Sequence, residues 1–401
     1  MMLRVRIGEI RIGEEEKAAV LDVLDSGRIS EGARVREFES LWANYIGKEY
    51  CVAVNSGTSA LLAGLFALLY DRRFEKVRRG SKVITSPVTY AATSNAVALS
   101  GMEPVYVDID PHTFTLDVNQ IESLLREGNA DDYSIILPVH LMGYPNDMDA
   151  INLLADKYDL VVFEDSAQAH GTTYKGKMAG SLSLLSDYSF YIAHNIQVGE
   201  MGAIVTGDRK IKDLVWQIKA NGRACLCKAC TRSEAKCPHG GSGFDPRFTH
   251  EHIGFNFKTT DLQAAVGLPQ VRRADSIKKA RQGNVKYLNE KLAKYRDVFD
   301  LPLFSEDISY IAYPLVIKDN RVDRGELMAK LERNGIEVRP LFGCIPTQQP
   351  SFRHLKSLYE GMLPNADFIG GSGFYVGCHQ YLSEDALGDI AGAVESIFAN
   401  R

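Results

Sequence analysis

The sequence predicts an α/β protein built on a mostly parallel central sheet with helices on both faces. Strand-like and helix-like segments alternate along the chain, and no repeat or low-complexity tract interrupts them. A chain of 401 residues at 45% hydrophobic and 24% charged composition can also bury a large core. We expect a large domain over residues 1–270 and a smaller C-terminal α/β domain over residues 271–401.

The chain begins with two helical patterns, followed by a strand that leads into a buried helix. Amphipathic spacing predicts helices at residues 14–24 and 35–45, and residues 50–54 have the apolar pattern of a strand. The apolar run at residues 59–70 is well short of the roughly 20 residues that a membrane span needs. It therefore predicts a buried helix.

The turn between that strand and that helix is a candidate anion site. It reads Asn55-Ser-Gly-Thr58. Backbone N–H groups at a helix N-terminus are unpaired, and the helix dipole favours an anion there. Gly57 and Thr58 are the candidate phosphate-binding residues, and the alternative is an ordinary turn in which Thr58 caps the helix.

Further strands and helices alternate, and two of the strands are followed by residues that are candidates for contacting a ligand. The predicted strands lie at residues 82–85, 104–107, 134–139 and 160–163, and the helices begin at residue 91 and span 147–157. Tyr90 follows the first of these strands and Asp165 the last, and ligands of open α/β sheets bind at the carboxyl ends of strands. Asp165 is either a turn or capping residue, or an acid that holds a protonated heteroaromatic nitrogen in a low-dielectric site.

The stretch from Asp187 to Gly202 combines a short strand with a glycine-flanked polar turn that has His194 at its centre. A strand at residues 203–206, a helix at 210–220 and a cysteine-rich insert at 222–245 follow it. Thr260 and Gln263 form a capping box for another helix, in which Pro269 predicts a kink or a division.

The remaining pattern is that of a connector and a small unit. Residues 271–295 are helical and charged, which is typical of a connector between domains. The predicted elements of the smaller domain lie at residues 310–317, 324–332, 338–340 and 386–399.

Charge and hydropathy exclude several classes of partner. The net charge of −5 and the pI near 6.0 give no field that would gather nucleic acid or anionic lipid. The first eight residues are charged but lack an apolar core of signal-peptide length. We therefore expect a cytoplasmic protein with neither a nucleic-acid partner nor a membrane partner.

Six ordered motifs resemble a known family. The motifs are Ser56-Gly-Thr-Ser-Ala60, Pro87-Val-Thr-Tyr-Ala-Ala-Thr93, Glu164-Asp-Ser-Ala-Gln-Ala-His-Gly171, Ser189-Phe-Tyr191, Gly199-Glu-Met-Gly202 and Gly254-Phe-Asn256. Through them the chain resembles, over essentially its whole length, the DegT/DnrJ/StrS sugar aminotransferases, a branch of the fold-type I pyridoxal-phosphate (PLP) enzymes that acts on nucleotide sugars.

The resemblance implies a role for each matching residue. Asp165 would contact the pyridine nitrogen of the cofactor, Gln168 would lie near its ring hydroxyl, and Tyr90 would stack on the ring. The cofactor phosphate would be held by Gly57, Thr58 and Ser189. The resemblance also implies a homodimer, in which Asn256 reaches into the site of the other subunit.

The chain departs from the family at the reactive position. Family members that transaminate have a lysine where this chain has His194, and that lysine binds PLP covalently, which an imidazole cannot do. A histidine near its unperturbed pKa is suited to moving protons at neutral pH. The exchange resembles the 3-dehydratases of 3,6-dideoxysugar synthesis, in which pyridoxamine phosphate (PMP) binds non-covalently and condenses with a nucleotide-linked 4-keto-6-deoxyhexose. There, His194 would remove a proton from the cofactor's C4′ carbon and the sugar's 3-hydroxyl would leave.

A cluster of cysteines bears on the source of the electrons for the 3-dehydratase reaction. Its members are Cys225, Cys227, Cys230 and Cys237. Their place in the chain resembles that of the cluster-bearing 3-dehydratase, which implies a [2Fe–2S] cluster and a ferredoxin- or flavin-type reductase as partner. The spacing differs, because Ser166 and Ala167 stand where that enzyme draws one ligand from a cysteine. Structural zinc is the alternative, with His239 able to replace a cysteine.

Three functions from different classes stay open. The first is a PMP-dependent 3-dehydratase with a [2Fe–2S] cluster, and the second is a glutamate-regenerated 3-dehydratase with structural zinc. The third is a non-catalytic binding protein of the sugar-aminotransferase type that has lost its lysine.

Overall fold

The computed structural model describes residues 3–227, 245 and 247–399. Helices and strands alternate through the first half of the chain, as the sequence predicts. Their bounds are α1 Glu14–Asp25, α2 Ala33–Ile46, β1 Tyr50–Val54, α3 Gly57–Tyr70, β2 Lys82–Thr85, α4 Ala91–Leu99, β3 Glu103–Tyr106, α5 Val118–Glu127, β4 Tyr133–Leu137, α6 Met148–Tyr158, β5 Val161–Asp165, β6 Thr173–Tyr174, β7 Lys177–Met178, β8 Leu185–Ser189, β9 Gly202–Thr206 and α7 Arg209–Ile218.

The second half is more helical. Its elements are α8 Asp261–Arg272, α9 Ala274–Leu292, β10 Phe299–Asp300, β11 Tyr313–Ile317, α10 Arg324–Arg333, β12 Val338–Pro340, α11 Ile345–Gln348, α12 Lys356–Tyr359, α13 Pro364–Ser372, β13 Gly373–Val376 and α14 Glu384–Phe398. Within the described ranges, no helix is both long enough and apolar enough to cross a membrane.

The larger sheet confirms the predicted fold class. Its strand order is β1-β9-β8-β5-β4-β2-β3, and β9 runs antiparallel to both of its neighbours while the other pairs are parallel. Helices cover both faces, since Val52 and Val54 of β1 pack in one core cluster and Cys51 and Ala53 in another. The first cluster includes α3 and α7, and the second includes α2 and α8. Burial on both faces is what a parallel sheet requires.

The smaller sheet belongs to a separate core. Its antiparallel order is β10-β11-β13-β12, and it packs with α9, α10 and α14. The N-terminal segment joins this unit, because Val5 forms a parallel bridge with Ile336 and is fully buried in the same core. Residue 270 falls inside α8. The division of the chain at that residue stays a prediction.

Local signals in the sequence account for the start of α8 but not for its end. The predicted capping box is present, since the Thr260 hydroxyl accepts from the Gln263 N–H group and the Gln263 side chain accepts from the Thr260 N–H group. Pro269 lies inside a continuous α8. The break comes later, at Arg273, whose φ of −99° and ψ of 7° separate α8 from α9.

Candidate active site

Seven of the predicted site residues meet at one cavity along the carboxyl edge of the larger sheet. The cavity has a volume of about 430 Å³ and lies where β2, β5 and β8 end and α3 begins. The predicted residues that line it are Gly57, Thr58, Tyr90, Asp165, Gln168, Ser189 and His194. The structure thus brings together seven residues that lie up to 137 positions apart in the chain, from position 57 to position 194.

One end of the cavity is formed by the first turn of α3. Ser56 caps this helix, because its hydroxyl accepts from the Ser59 N–H group at 3.1 Å. Thr58 is therefore not the cap, and its exposed side chain faces the cavity. The N–H groups of Gly57 and Thr58 lie in the first helical turn, where no intrahelical acceptor exists. This end of the cavity has the properties of a phosphate site.

Gly57 is required by its close approach to β8. A Cβ atom at position 57 would lie 2.6 Å from the Cβ of Ser189 and 2.9 Å from its Oγ. Real Cβ contacts essentially never come so close. Glycine therefore lets the Ser189 hydroxyl and the α3 N-terminus converge on the same space.

Asp165 provides a buried carboxyl group in the cavity. It ends β5, is only 4% exposed, and accepts from the Thr93 hydroxyl at 2.8 Å and from the Ala167 N–H group at 3.3 Å. Burial raises the pKa of Asp165, while the two donors and the nearby His140 act in the opposite direction. The Asp165 carboxyl is thus fixed in orientation and is destabilised as an anion until a cation pairs with it.

Gln168 is held so that its NH2 group is left for a ligand. Its side-chain oxygen accepts from the Met142 N–H group at 2.9 Å. Met142 has a φ of 56°, in the left-handed region, and Gly143 follows with a φ of 91°. This backbone turn directs the Met142 N–H group at the Gln168 side-chain oxygen, so the Gln168 NH2 group is left to donate toward the cavity.

His194 lies on the turn after β8, which is tied to the rest of the molecule at several points. Its backbone N–H group donates to the Tyr191 carbonyl at 2.9 Å. The neighbouring Asn195 donates to the Ser309 hydroxyl at 2.7 Å, and Gln197 exchanges hydrogen bonds with Gln270. The turn is therefore rigidly positioned although it has no regular secondary structure.

The environment of His194 favours its neutral form. Desolvation lowers the pKa of His194 to about 4, a hydrogen bond to the Tyr191 backbone partly opposes this, and the Arg281 charge acts in the same direction as desolvation. Its Nδ1 atom is buried without a hydrogen-bond partner among the described residues. The His170 ring is stacked at a centroid distance of 5.9 Å. A neutral imidazole in this position can accept a proton.

The C-terminal unit closes the other side of the cavity. Tyr90, which is 64% exposed, lies 5.8 Å from Phe342 between ring centroids. Phe342 and Tyr375 both line the cavity, together with Ile311 and Ala312. Residues from both sheets therefore line the site. The ring of an aromatic ligand would lie next to Tyr90.

Some predicted residues are not part of this cavity. Asn256 is exposed and pairs with Ala220 through an isolated backbone bridge, outside the lining. Cys225 and Cys227 are half-buried, whereas Cys230, Cys237 and His239 lie outside the described residues. Among the residues that are described, no group of three or more histidine, cysteine or acidic side chains could hold a metal ion.

Two residues of the cavity were missed by sequence reasoning. Thr93 lies in a quoted motif, but its bond to Asp165 joins positions that are 72 residues apart. Asp187 lies in the stretch around His194, and it is fully buried and lines the cavity next to Asp165. The available signal for Asp187 was a charged residue at the centre of the short strand Leu185–Ser189, with Leu185 before it and Tyr188 after it.

Comparisons with known proteins agree with this geometry. A family model described as the DegT/DnrJ/EryC1/StrS aminotransferase family matches residues 10–395 of the chain. Lipopolysaccharide biosynthesis protein RfbH of Salmonella typhimurium is 31% identical over 397 residues, which cover 96% of this chain and 90% of RfbH. The dTDP-4-dehydro-2,6-dideoxy-D-glucose 3-dehydratase of Saccharopolyspora spinosa is 30% identical over 398 residues, which cover 97% of this chain and 85% of that enzyme.

A solved structure matches equally completely. The GDP-4-keto-6-deoxy-D-mannose-3-dehydratase of E. coli with bound hydrated PLP superposes with a TM-score of 0.86 at 26% identity, covering 98% of this chain and 100% of that one.

Proposed function

Because the chain belongs to the DegT/DnrJ/EryC1/StrS aminotransferase family, we propose that it is a PMP-dependent 3-dehydratase of a nucleotide-linked 4-keto-6-deoxyhexose. The names of the Saccharopolyspora and E. coli relatives support this reaction and this kind of substrate. The donors and acceptors of the cavity fit the cofactor, with an anion site at Gly57 and Thr58 and a buried acid at Asp165.

The observation that carries the proposal is the chemistry of the reactive position. Among the described residues that line the cavity, His194 is present and no lysine is. A transaminase of this family needs a lysine amine there to bind PLP covalently. A histidine leaves the cofactor non-covalently bound and provides a proton acceptor beside it.

The protein's own residues have separate tasks in this proposal. PMP supplies the amino group that binds the sugar ketone and the ring that withdraws electrons. When PMP is bound, Asp165 would hold the ring nitrogen in its protonated form, Gln168 would donate to the ring hydroxyl, and Tyr90 would cover one ring face. His194 would accept the proton from the cofactor's C4′ carbon, and the 3-hydroxyl of the sugar would leave. The exposed Asn256 is available to a second subunit of a homodimer.

The direct test is turnover with a panel of nucleotide-linked 4-keto-6-deoxyhexoses in the presence of PMP. We expect mass spectrometry to show a 3-deoxy product that is lighter than the substrate by one oxygen atom, because loss of the 3-hydroxyl is accompanied by two electrons that come from PMP, which becomes PLP, or from an added reductant. Formation of a 4-amino sugar with glutamate as donor would contradict the proposal, and binding without any turnover would favour the non-catalytic alternative. As a second readout, borohydride should not fix PLP to the wild-type chain, because the cavity has no lysine within the described part.

Gly57→Ala should weaken cofactor binding. Its new Cβ would push Ser189 away from the α3 N-terminus, and we expect the affinity for PLP to fall at least about tenfold by equilibrium dialysis. Gly283→Ala in α9 is the matched control, because a Cβ there meets nothing within 4 Å. Equal affinities of the two variants would argue against a phosphate site at Gly57.

We further propose that the four cysteines hold a [2Fe–2S] cluster that accepts electrons from a reductase. The support is the sequence: Cys225, Cys227, Cys230 and Cys237 lie within 13 residues, and four thiolates suffice for such a cluster. Structural zinc uses the same ligands, and glutamate would then regenerate PMP.

Metal analysis and the visible spectrum of anaerobically purified protein distinguish the iron–sulfur form from the zinc form. We expect about two iron and two sulfide ions per chain and a visible absorbance that is lost in Cys225→Ser. Cys378→Ala, which changes a buried thiol in the core of the C-terminal unit, should keep the absorbance. Zinc without iron, together with turnover that needs glutamate but no reductant, would favour the second alternative.

A further inference from the structure

We propose that Asp187 is a second acid of the cofactor site, which keeps its proton at neutral pH and shares one negative charge with Asp165 opposite the ring nitrogen. This inference rests on the proposed cofactor and extends it to a residue that neither the family motifs nor the relatives' names assign.

The positions of the two acids come from the strand register. Asp165 and Asp187 are paired residues on the adjacent parallel strands β5 and β8. Neighbouring strands lie about 4.8 Å apart, and paired residues project from the same face. Both side chains line the same cavity. Two carboxyl groups therefore project from the same face of the sheet into the cavity where the ring nitrogen is expected.

Asp187 lacks the hydrogen bonds that the protein gives to its other buried acids. It is 0% exposed, and neither of its carboxyl oxygens has a partner among the described residues. Glu164, on the opposite face of β5, is also 0% exposed but accepts from the N–H groups of Gly180 and Leu182 and from the Ser183 hydroxyl, and it pairs with His140. Buried carboxylates are normally compensated in this way.

An unpaired buried acid is most stable when it is neutral. Burial raises the pKa of Asp187 well above its usual range, and the adjacent Asp165 raises it further. Besides Asp165, Tyr188 on the same strand interacts electrostatically with Asp187, and Glu200 lines the same cavity. β9 places Ile204 opposite Asp187, and α3 contributes Gly57, Thr58 and Leu61, none of which titrates. His140 acts on Asp165, and His194 faces the cavity from the turn after β8.

The shared proton has a chemical consequence. If both acids were ionised, two negative charges would face the single positive charge of a protonated pyridine ring. With Asp187 neutral, the pair carries one negative charge, which matches the ring, and the Asp187 O–H group can donate to the Asp165 carboxylate or to the ligand.

The first test uses the cofactor-free protein. Asp187 holds its proton in the folded state but releases it above about pH 4 when unfolded, so wild-type stability falls as the pH rises. Asp187→Asn has no proton to lose. We expect its Tm advantage over wild type to grow by at least about 2 °C between about pH 4 and pH 8. Asp187→Ser should show the same trend, which separates the proton from the shape of the amide. A Tm difference that does not depend on pH would overturn the proposal.

The second test uses bound PLP. We expect the absorbance of the wild-type complex to titrate in two steps between about pH 5 and pH 9, and that of Asp187→Asn in one. Identical titrations of the two proteins would overturn the inference. If wild type binds no PLP at any pH, the proposed function fails instead, and the stability test still reports whether Asp187 holds a proton.

Discussion

Replacing His194 with asparagine is expected to lower the rate of sugar dehydration by about 10²- to 10⁴-fold, the usual contribution of a positioned acid–base group. Asparagine is similar to histidine in size and is polar, but its amide cannot accept a proton at neutral pH. Because Gly57, Thr58 and Asp165 are unchanged, we expect PLP affinity to stay within about threefold of wild type.

The proton-transfer role of His194 has its own readout. In deuterated water, wild type should exchange the C4′ protons of bound PMP in the presence of substrate, and His194→Asn should not. The pKa of His194 is lowered to about 4, so the histidine is neutral and competent above that pH, and the exchange rate should fall as the pH decreases toward that value.

A matched control is available on the surface. His112 lies near Asp300, outside the cavity lining, and His112→Asn should leave turnover and exchange unchanged. Dehydration that continues at the wild-type rate in His194→Asn would show that another group takes the proton, and the proposal for His194 would then be wrong.

The fold class and the family were both predictable, for physical reasons that act locally. β1 is an apolar run between polar residues, and its observed bounds Tyr50–Val54 are those predicted from the pattern. The resemblance to the aminotransferase family is confirmed by the match over residues 10–395. The ordered motifs identify the family because each one reflects a local structural constraint. One example is the glycine at the position where Ser189 approaches the start of α3.

Strand direction and long-range pairing were not predictable from the same patterns. Nothing in the apolar sequence of β9 distinguishes an antiparallel strand from a parallel one, yet β9 is antiparallel to both neighbours. The bridge between Val5 and Ile336 is another case, since it joins residues 331 positions apart. Hydrophobic periodicity reports which face is buried, not which partner buries it.

The motifs predicted individual residues of the cavity but not the interactions between them. They selected Asp165 and His194, both of which line the cavity, yet they did not indicate that Thr93 would orient the first or that Arg281 would act on the second. The pairing of Asp165 with Asp187 depends on the register between β5 and β8. Register is a property of the assembled sheet, so it is absent from any single stretch of sequence.

Asp165→Asn is expected to weaken cofactor binding and turnover together, each by about 10²- to 10³-fold. Asp165 is 4% exposed, and as a carboxylate it would pair with the protonated ring nitrogen in a site of low dielectric. An asparagine keeps the shape and one acceptor but leaves the ring charge unpaired. PLP affinity can be measured by equilibrium dialysis and turnover by product formation.

Two further measurements separate this electrostatic role from simple damage to the fold. Since the pKa of Asp165 is raised by burial, ionising it costs stability in the free protein, and Asp165→Asn should unfold at a higher temperature than wild type at neutral pH. Thr93→Val removes one donor at 2.8 Å but keeps the charge, so it should lower PLP affinity by only about 10- to 100-fold. A damaged fold would lower Tm and affinity together. A higher Tm with weaker PLP binding would instead show that the Asp165 carboxylate destabilises the cofactor-free protein. It would also show that the carboxylate strengthens PLP binding, where the cofactor ring compensates its charge.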